Sequence, residues 1–155
     1  GLANGYGTVD ASDWNMEQLA IDAKAAGKPI DMEGLRRLYV ASHVESADFA
    51  DALAVRALGR SPAHVMLMHE TDLAALFLPD LVMALRDDGW TIITADAAYA
   101  DRIAPVAATV DVPSAQGTLV EAIAWARGLP EPRWWPGNEP ATARERFESE
   151  VLHGK

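Results

Sequence analysis

His69 is the residue of this chain best placed to do chemistry. It closes the apolar run Val65–Met68 and is followed by polar Glu70, Thr71 and Asp72. Imidazole ordinarily titrates near neutral pH, so it can give or take a proton during a reaction. A second polar cluster repeats the pattern: strand-like Tyr6-Gly7-Thr8-Val9 runs into Asp10-Ala11-Ser12-Asp13-Trp14. If the two strands are neighbours, Asp13 meets His69. A carboxylate beside an imidazole favours the charged ring and fixes its orientation, as a general acid requires. Trp14 would then wall the site. Structural readings stand beside these: a strand-end histidine can simply be hydrogen-bonded and partly buried, and Ser12 or Asp13 can cap a helix starting near Asn15.

The elements that must position these residues read as follows. Val65–Met68 suits a strand buried on both faces. Leu76, Phe77, Leu81, Val82 and Leu85 recur at helical spacing up to Gly89, and Trp90–Thr94 reads as the next strand. Ligands of parallel α/β folds sit where strands like the one before His69 stop. Upstream, Asn15–Ala26 is helical and is stopped by Gly27 and Pro29. A second helical region starts at Asp31 or Met32, with Leu35, Leu38 and Tyr39 on one face. Ser46 fits the N-cap of a further helix carrying Phe49, Leu53 and Leu58, ended by Gly59. Pro79 suits the first turn of a helix running to Asp88, with Asp72–Leu78 a turn or a short separate helix. Asp96–Ala100 reads as one helical turn, Ile103–Asp111 as irregular and Ser114–Arg127 as a helix. Arg133–Gly137 reads as an aromatic strap, and Ala141–Leu152 as a charged helix or loose tail.

The 155 residues are half hydrophobic and 23% charged, the balance of a globular domain with a real core. A formal charge of −10 argues against nucleic acid and anionic membrane surfaces as partners. There is no cysteine, so neither a disulfide frame nor a thiolate metal site is available, and the compartment stays open. No apolar run reaches the length of a membrane span. The opening Gly1-Leu2-Ala3-Asn4-Gly5-Tyr6 leads almost at once into a strand and reads as a cut. Three strand candidates are few for an α/β domain, which points the same way. His43 and His64 read as structural, and His153 lies in the tail. No HxxxH or HExxH spacing, G-x-S-x-G elbow or phosphate-cradling glycine loop occurs.

Thr8-Val9-Asp10-Ala11-Ser12-Asp13-Trp14 resembles the D-x-x-D-W motif of NodB-type polysaccharide deacetylases (carbohydrate esterase family 4). Met66-Leu67-Met68-His69 is similar to that family's late motif, a hydrophobic-x-hydrophobic-His sequence. Leu58-Gly59-Arg60-Ser61 before the strand, Gly89-Trp90 after the helix and Trp135-Pro136-Gly137 also match, so the resemblance runs from Asn4 to about Gly137. It implies an α/β fold that is the C-terminal half of a distorted (β/α) barrel, with parallel strands and flanking helices. Residues 1–137 would belong to that domain and 138–155 to a helical tail.

Such enzymes remove N- or O-acetyl groups from glycans such as chitooligosaccharides or peptidoglycan. They use a divalent metal, usually zinc, with an Asp as base and a His that protonates the leaving amine. The resemblance makes His69 that acid and Asp13 the carboxylate that orients it. Trp14 and Leu67 become walls around the acetyl methyl, and Asp10 a substrate contact. The family's T-F-D-D, H-x-x-x-H and arginine–proline motifs, which precede D-x-x-D-W, are missing. The resemblance therefore implies that base and metal ligands come from a missing N-terminal half, with the isolated chain inactive and without a metal site of its own. Two other classes remain: a non-catalytic glycan-binding or interaction module, and a receiver-type domain with Asp10 and Asp13 as its acidic site. The receiver class also wants a strand-end Lys, and no suitable one is present.

Overall fold

The computed structural model describes residues 5–113 and 117–154. Among the described residues the fold is α/β and mostly helical, with one two-stranded parallel sheet. In chain order the elements are β1 (Val9–Asp10), α1 (Asp13–Ala25), α2 (Met32–Leu58), β2 (Met66–Leu67), α3 (Asp72–Asp87), α4 (Ala95–Tyr99), α5 (Leu119–Ala126) and α6 (Pro140–Glu150). Single 3₁₀ turns occupy Ala104–Ala108 and Pro136–Asn138. Two compact units divide the chain. One comprises Gly1–Asp10, Ser46–Leu67 and Ile92–Trp135; the other comprises Ala11–Glu45, Met68–Thr91 and Pro136–Lys155.

The sheet belongs to the first unit, with Val9 opposite Met66 and Asp10 opposite Leu67. Both strands are shorter than the expected Tyr6–Val9 and Val65–Met68. Where the first would lengthen toward its start, the Thr8 hydroxyl takes the Val65 N–H at 2.8 Å in place of a backbone carbonyl. β2 is not buried on both faces as expected, since Leu67 is 47% exposed. Tyr6, Leu53, Ala54, Ala57, Ile103, Leu119, Val120, Ile123 and Ala124 form this unit's core. Thr118 caps α5 by accepting from the Glu121 N–H; the expected helix start at Ser114 lies outside the described residues. Arg133 lies 4.1 Å over the Trp125 ring, which fastens one end of the aromatic segment that follows.

Trp90–Thr94 does not form the expected strand. The Trp90 N–H bonds to the Leu85 carbonyl at 2.9 Å and the Gly89 N–H to that of Arg86 at 3.1 Å, with Gly89 at φ 99°. This closes α3 as a Schellman motif and takes up the amide a strand would have used. At the other end the Thr94 hydroxyl caps α4. Ile92 and Ile93, between the two caps, are each about half exposed.

Two helices run through positions where breaks were expected. Ser46 is not an N-cap: α2 continues through it, and its hydroxyl donates to the Asp10 carbonyl at 2.8 Å. Leu35, Leu38, Tyr39, Ser42, His43, Ser46, Ala47, Ala50, Leu53, Ala54 and Ala57 are all buried, a stripe at helical spacing that small residues carry across the expected gap. Pro79 lies inside α3 on its exposed side and does not begin a helix. The proline leaves the Ala75 carbonyl without its intrahelical donor, while Leu73, Phe77, Leu81 and Leu85 bury a stripe spaced every four residues. Leu76, read as part of that face, is 56% exposed.

In the second unit α1 packs on α3 and on α6. Residues 140–150 form a helix whose Phe147 is buried, along with Val151 and Leu152 just beyond it. The Asp31 N–H bonds to the Val151 carbonyl, and His153 meets the Asp31 carboxylate at 3.0 Å. Gly34 lets the start of α2 pass close to the end of α6, since a Cβ there would stand 2.3 Å from the Glu150 carbonyl oxygen.

Candidate functional site

Asp13 and His69 come together in the second unit, Asp13 as the first residue of α1 and His69 in the segment leading to α3. Ser12 turns the chain into the helix at φ 48°, ψ 44°, and its side chain makes no cap bond. Asp13 caps in its place, taking the Trp14 N–H on Oδ1 at 3.0 Å. The same oxygen receives Nδ1 of His69 at 2.7 Å, and Oδ2 receives the His69 main-chain N–H at 2.8 Å. A carboxylate can only accept, so Nδ1 carries a hydrogen. Nε2 is the ring nitrogen that Asp13 does not engage. The Asp13 side chain is 1% exposed and that of His69 is 46% exposed, which joins a buried carboxylate to an accessible imidazole.

The segment after His69 is held further along. Its carbonyl accepts the Thr71 N–H at 2.9 Å. Thr71 caps α3 by accepting from the Ala74 N–H, and the Leu73 N–H bonds to Oε2 of Glu17 at 3.0 Å. The buried Tyr39 hydroxyl lies in the field of Asp13 and Glu17. Burial pushes its titration well above the ordinary phenol range and the two carboxylates add to that, so it stays protonated. Tyr39 packs against Phe77 of α3, with centroids 5.8 Å apart.

Of the other expected substrate contacts, Trp14 follows Asp13 on α1 and is 53% exposed. Asp10 and Leu67 are paired with each other in the sheet of the first unit. His43 is fully buried, with Nδ1 at 2.7 Å from the Tyr39 carbonyl. His64 stands in the first unit between Thr8 Oγ1 at 3.0 Å and Asp51 Oδ1 at 3.2 Å. Burial lowers its pKa, and Asp51 offsets this in part. Glu70 and Asp72 are exposed.

Glu17 went unread in the sequence, although it lies four residues after Asp13 just as Leu73 lies four after His69. Equal spacing on two facing segments was the signal for it. Among the described residues no three His, Asp or Glu side chains converge as a metal site would require. No family model matches the chain, and no curated protein or solved structure matches it either.

Proposed function

We propose that this chain supplies the catalytic acid of a metal-dependent polysaccharide deacetylase of the NodB type, as part of a (β/α) barrel completed by an N-terminal half. Substrates would be acetylated glycans such as chitooligosaccharides. One observation carries the reading: an accessible imidazole is held through Nδ1 and its own main chain by a buried carboxylate. The described residues do not offer the three protein ligands a catalytic zinc needs. In this reading the metal and the base are held by residues outside this chain.

What the chain's own groups do follows from their geometry. As the acetyl C–N bond breaks, its electron pair stays on the sugar nitrogen, and Nε2–H of the imidazolium gives its proton to that nitrogen. Asp13 holds the ring through Nδ1 and leaves Nε2 for the departing nitrogen. Trp14, exposed beside Asp13, offers an apolar ring face to the sugar or the acetyl methyl.

The half-exposed Trp14 also fits a second reading, a glycan-binding module in which the pair recognises its ligand without turnover. Acetate release from an acetylated chitooligosaccharide decides between them, measured on a protein that joins this chain to an N-terminal half of the kind this reading requires. The deacetylase reading expects turnover that His69→Ala largely abolishes. An unchanged rate would remove His69 from the acid role, whereas binding without turnover would leave the module.

A further inference from the structure

We propose that Glu17 is a positioning residue for His69, a role that rests on the deacetylase reading above. α1 grips the acid-bearing segment at two points one helical turn apart. Asp13 takes the main chain and ring of His69; Glu17 takes the main-chain N–H of Leu73 at 3.0 Å. Both carboxylates lie on one face of α1, and both acceptors meet donors four residues apart. Asp13 ties α1 to His69 itself, and the His69–Thr71 turn and the Thr71 cap hold the segment only within itself. The Glu17 bond adds a second tie from α1, at the far end of the segment.

The donor Glu17 satisfies is one of the free N–H groups of the first turn of α3. Thr71 satisfies another from within its own helix. The Glu17 bond differs because it comes from α1, so it ties the start of α3 to the helix that also carries Asp13. Tyr39 of α2, packed against Phe77 one turn further along α3, backs the same helix from another side. Reach is what matters here. A glutamine keeps an acceptor oxygen at the same distance, and an aspartate keeps the charge but falls one methylene short.

The test compares Glu17→Gln, Glu17→Asp and Glu17→Ala. In the nitrogen-15-labelled chain, His69 should hold the Nδ1–H form in wild type and in Glu17→Gln. Glu17→Asp and Glu17→Ala should show mixed tautomers and faster amide exchange at His69 and Leu73. In the deacetylase, these two should lose roughly 10-fold in kcat with KM within about twofold, as expected for a displaced catalytic group, while Glu17→Gln stays within about twofold. A general loss of stability would lower Tm without changing the ring signals of the native state. Unchanged ring signals and exchange in Glu17→Asp overturn the proposal, as does a Glu17→Gln variant that behaves like Glu17→Ala, since charge would then be the active property. Should Glu17→Ala fail to fold, the other two variants still decide. Failure of the deacetylase reading shows separately, as absent acetate release by wild type with the ring signals responding as described.

Discussion

Asp13 holds His69 by main chain and ring at once, with Oδ2 on the backbone N–H at 2.8 Å and Oδ1 on Nδ1 at 2.7 Å. One carboxylate thereby contacts both the main chain and the ring of the residue. The grip costs the unfolded chain its freedom, but it gives both oxygens of the buried Asp13 carboxylate a partner.

Asp13→Asn tests this grip directly. An amide has one acceptor atom, so its NH₂ group must face either the His69 N–H or the ring. The Nδ1–H form should give way to a mixture in nitrogen-15 spectra, and denaturant unfolding should show a loss of about 1–3 kcal/mol. An Asp13→Asn protein that kept the wild-type ring signals would mean that something else orients His69.

Gly34→Ala should destabilise the second unit. Alanine usually gains about 1 kcal/mol over glycine inside a helix. Here the added methyl meets the Glu150 carbonyl, a backbone atom that cannot swing aside. Overpacking of about 1–3 kcal/mol should outweigh the gain, giving a lower denaturation midpoint. A raised midpoint would show that α2 and α6 separate easily.

Asp101 takes both terminal nitrogens of Arg60 and the main-chain N–H groups of Ala63 and Ile103. The Arg60 guanidinium, with those amides, holds its carboxyl well below the ordinary carboxylate range. A lowered carboxyl stabilises the fold at pH values above its unfolded pKa of about 3.9, and that stability is lost as the pH falls further. Asp101→Asn should cost about 1–3 kcal/mol near neutral pH and flatten the acid limb of stability against pH. An acid limb as steep as that of wild type would locate the effect in other carboxylates.

His64 should give a second, milder dependence. Burial lowers its folded pKa below the unfolded value of about 6.5, so the folded state favours the neutral ring. The unfolded chain then binds more protons, and stability is complete above about pH 6.5 and declines as the pH falls below it. His64→Gln should start less stable at neutral pH yet show a shallower decline in Tm between about pH 7 and 5.5. Equal slopes in the two proteins would refute this assignment.

Much of this was legible before any coordinates. The polar clusters after two short apolar runs led to Asp13 and His69, because parallel neighbours place successive strand exits together. The α/β class and the turn at α4 followed from local pattern as well. The single long α2 was harder to read because Ser42, Ser46, Ala47 and Ala50 continue its buried stripe with small side chains that carry little hydrophobic signal. Pro79 looked like a boundary because sequence alone does not show that its missing donor falls on an exposed helix side. Trp90–Thr94 has the composition of a strand, but the Schellman closure at Gly89 and the Thr94 cap use the segment's ends. Glu17 escaped because its partner is a backbone amide, so that its spacing from Asp13 was the single mark it left in the sequence.

The central claim is that His69 protonates a departing amine, and leaving-group dependence tests it most directly. In a protein that carries this chain together with the base and metal ligands the deacetylase reading requires, His69→Ala should lower kcat on an N-acetylated chitooligosaccharide by about 10²–10⁴-fold. On para-nitrophenyl acetate, whose phenolate departs without a proton, the same substitution should change kcat by no more than about 10-fold, well short of what general acid catalysis contributes. Equal losses on the two substrates would contradict proton donation by His69.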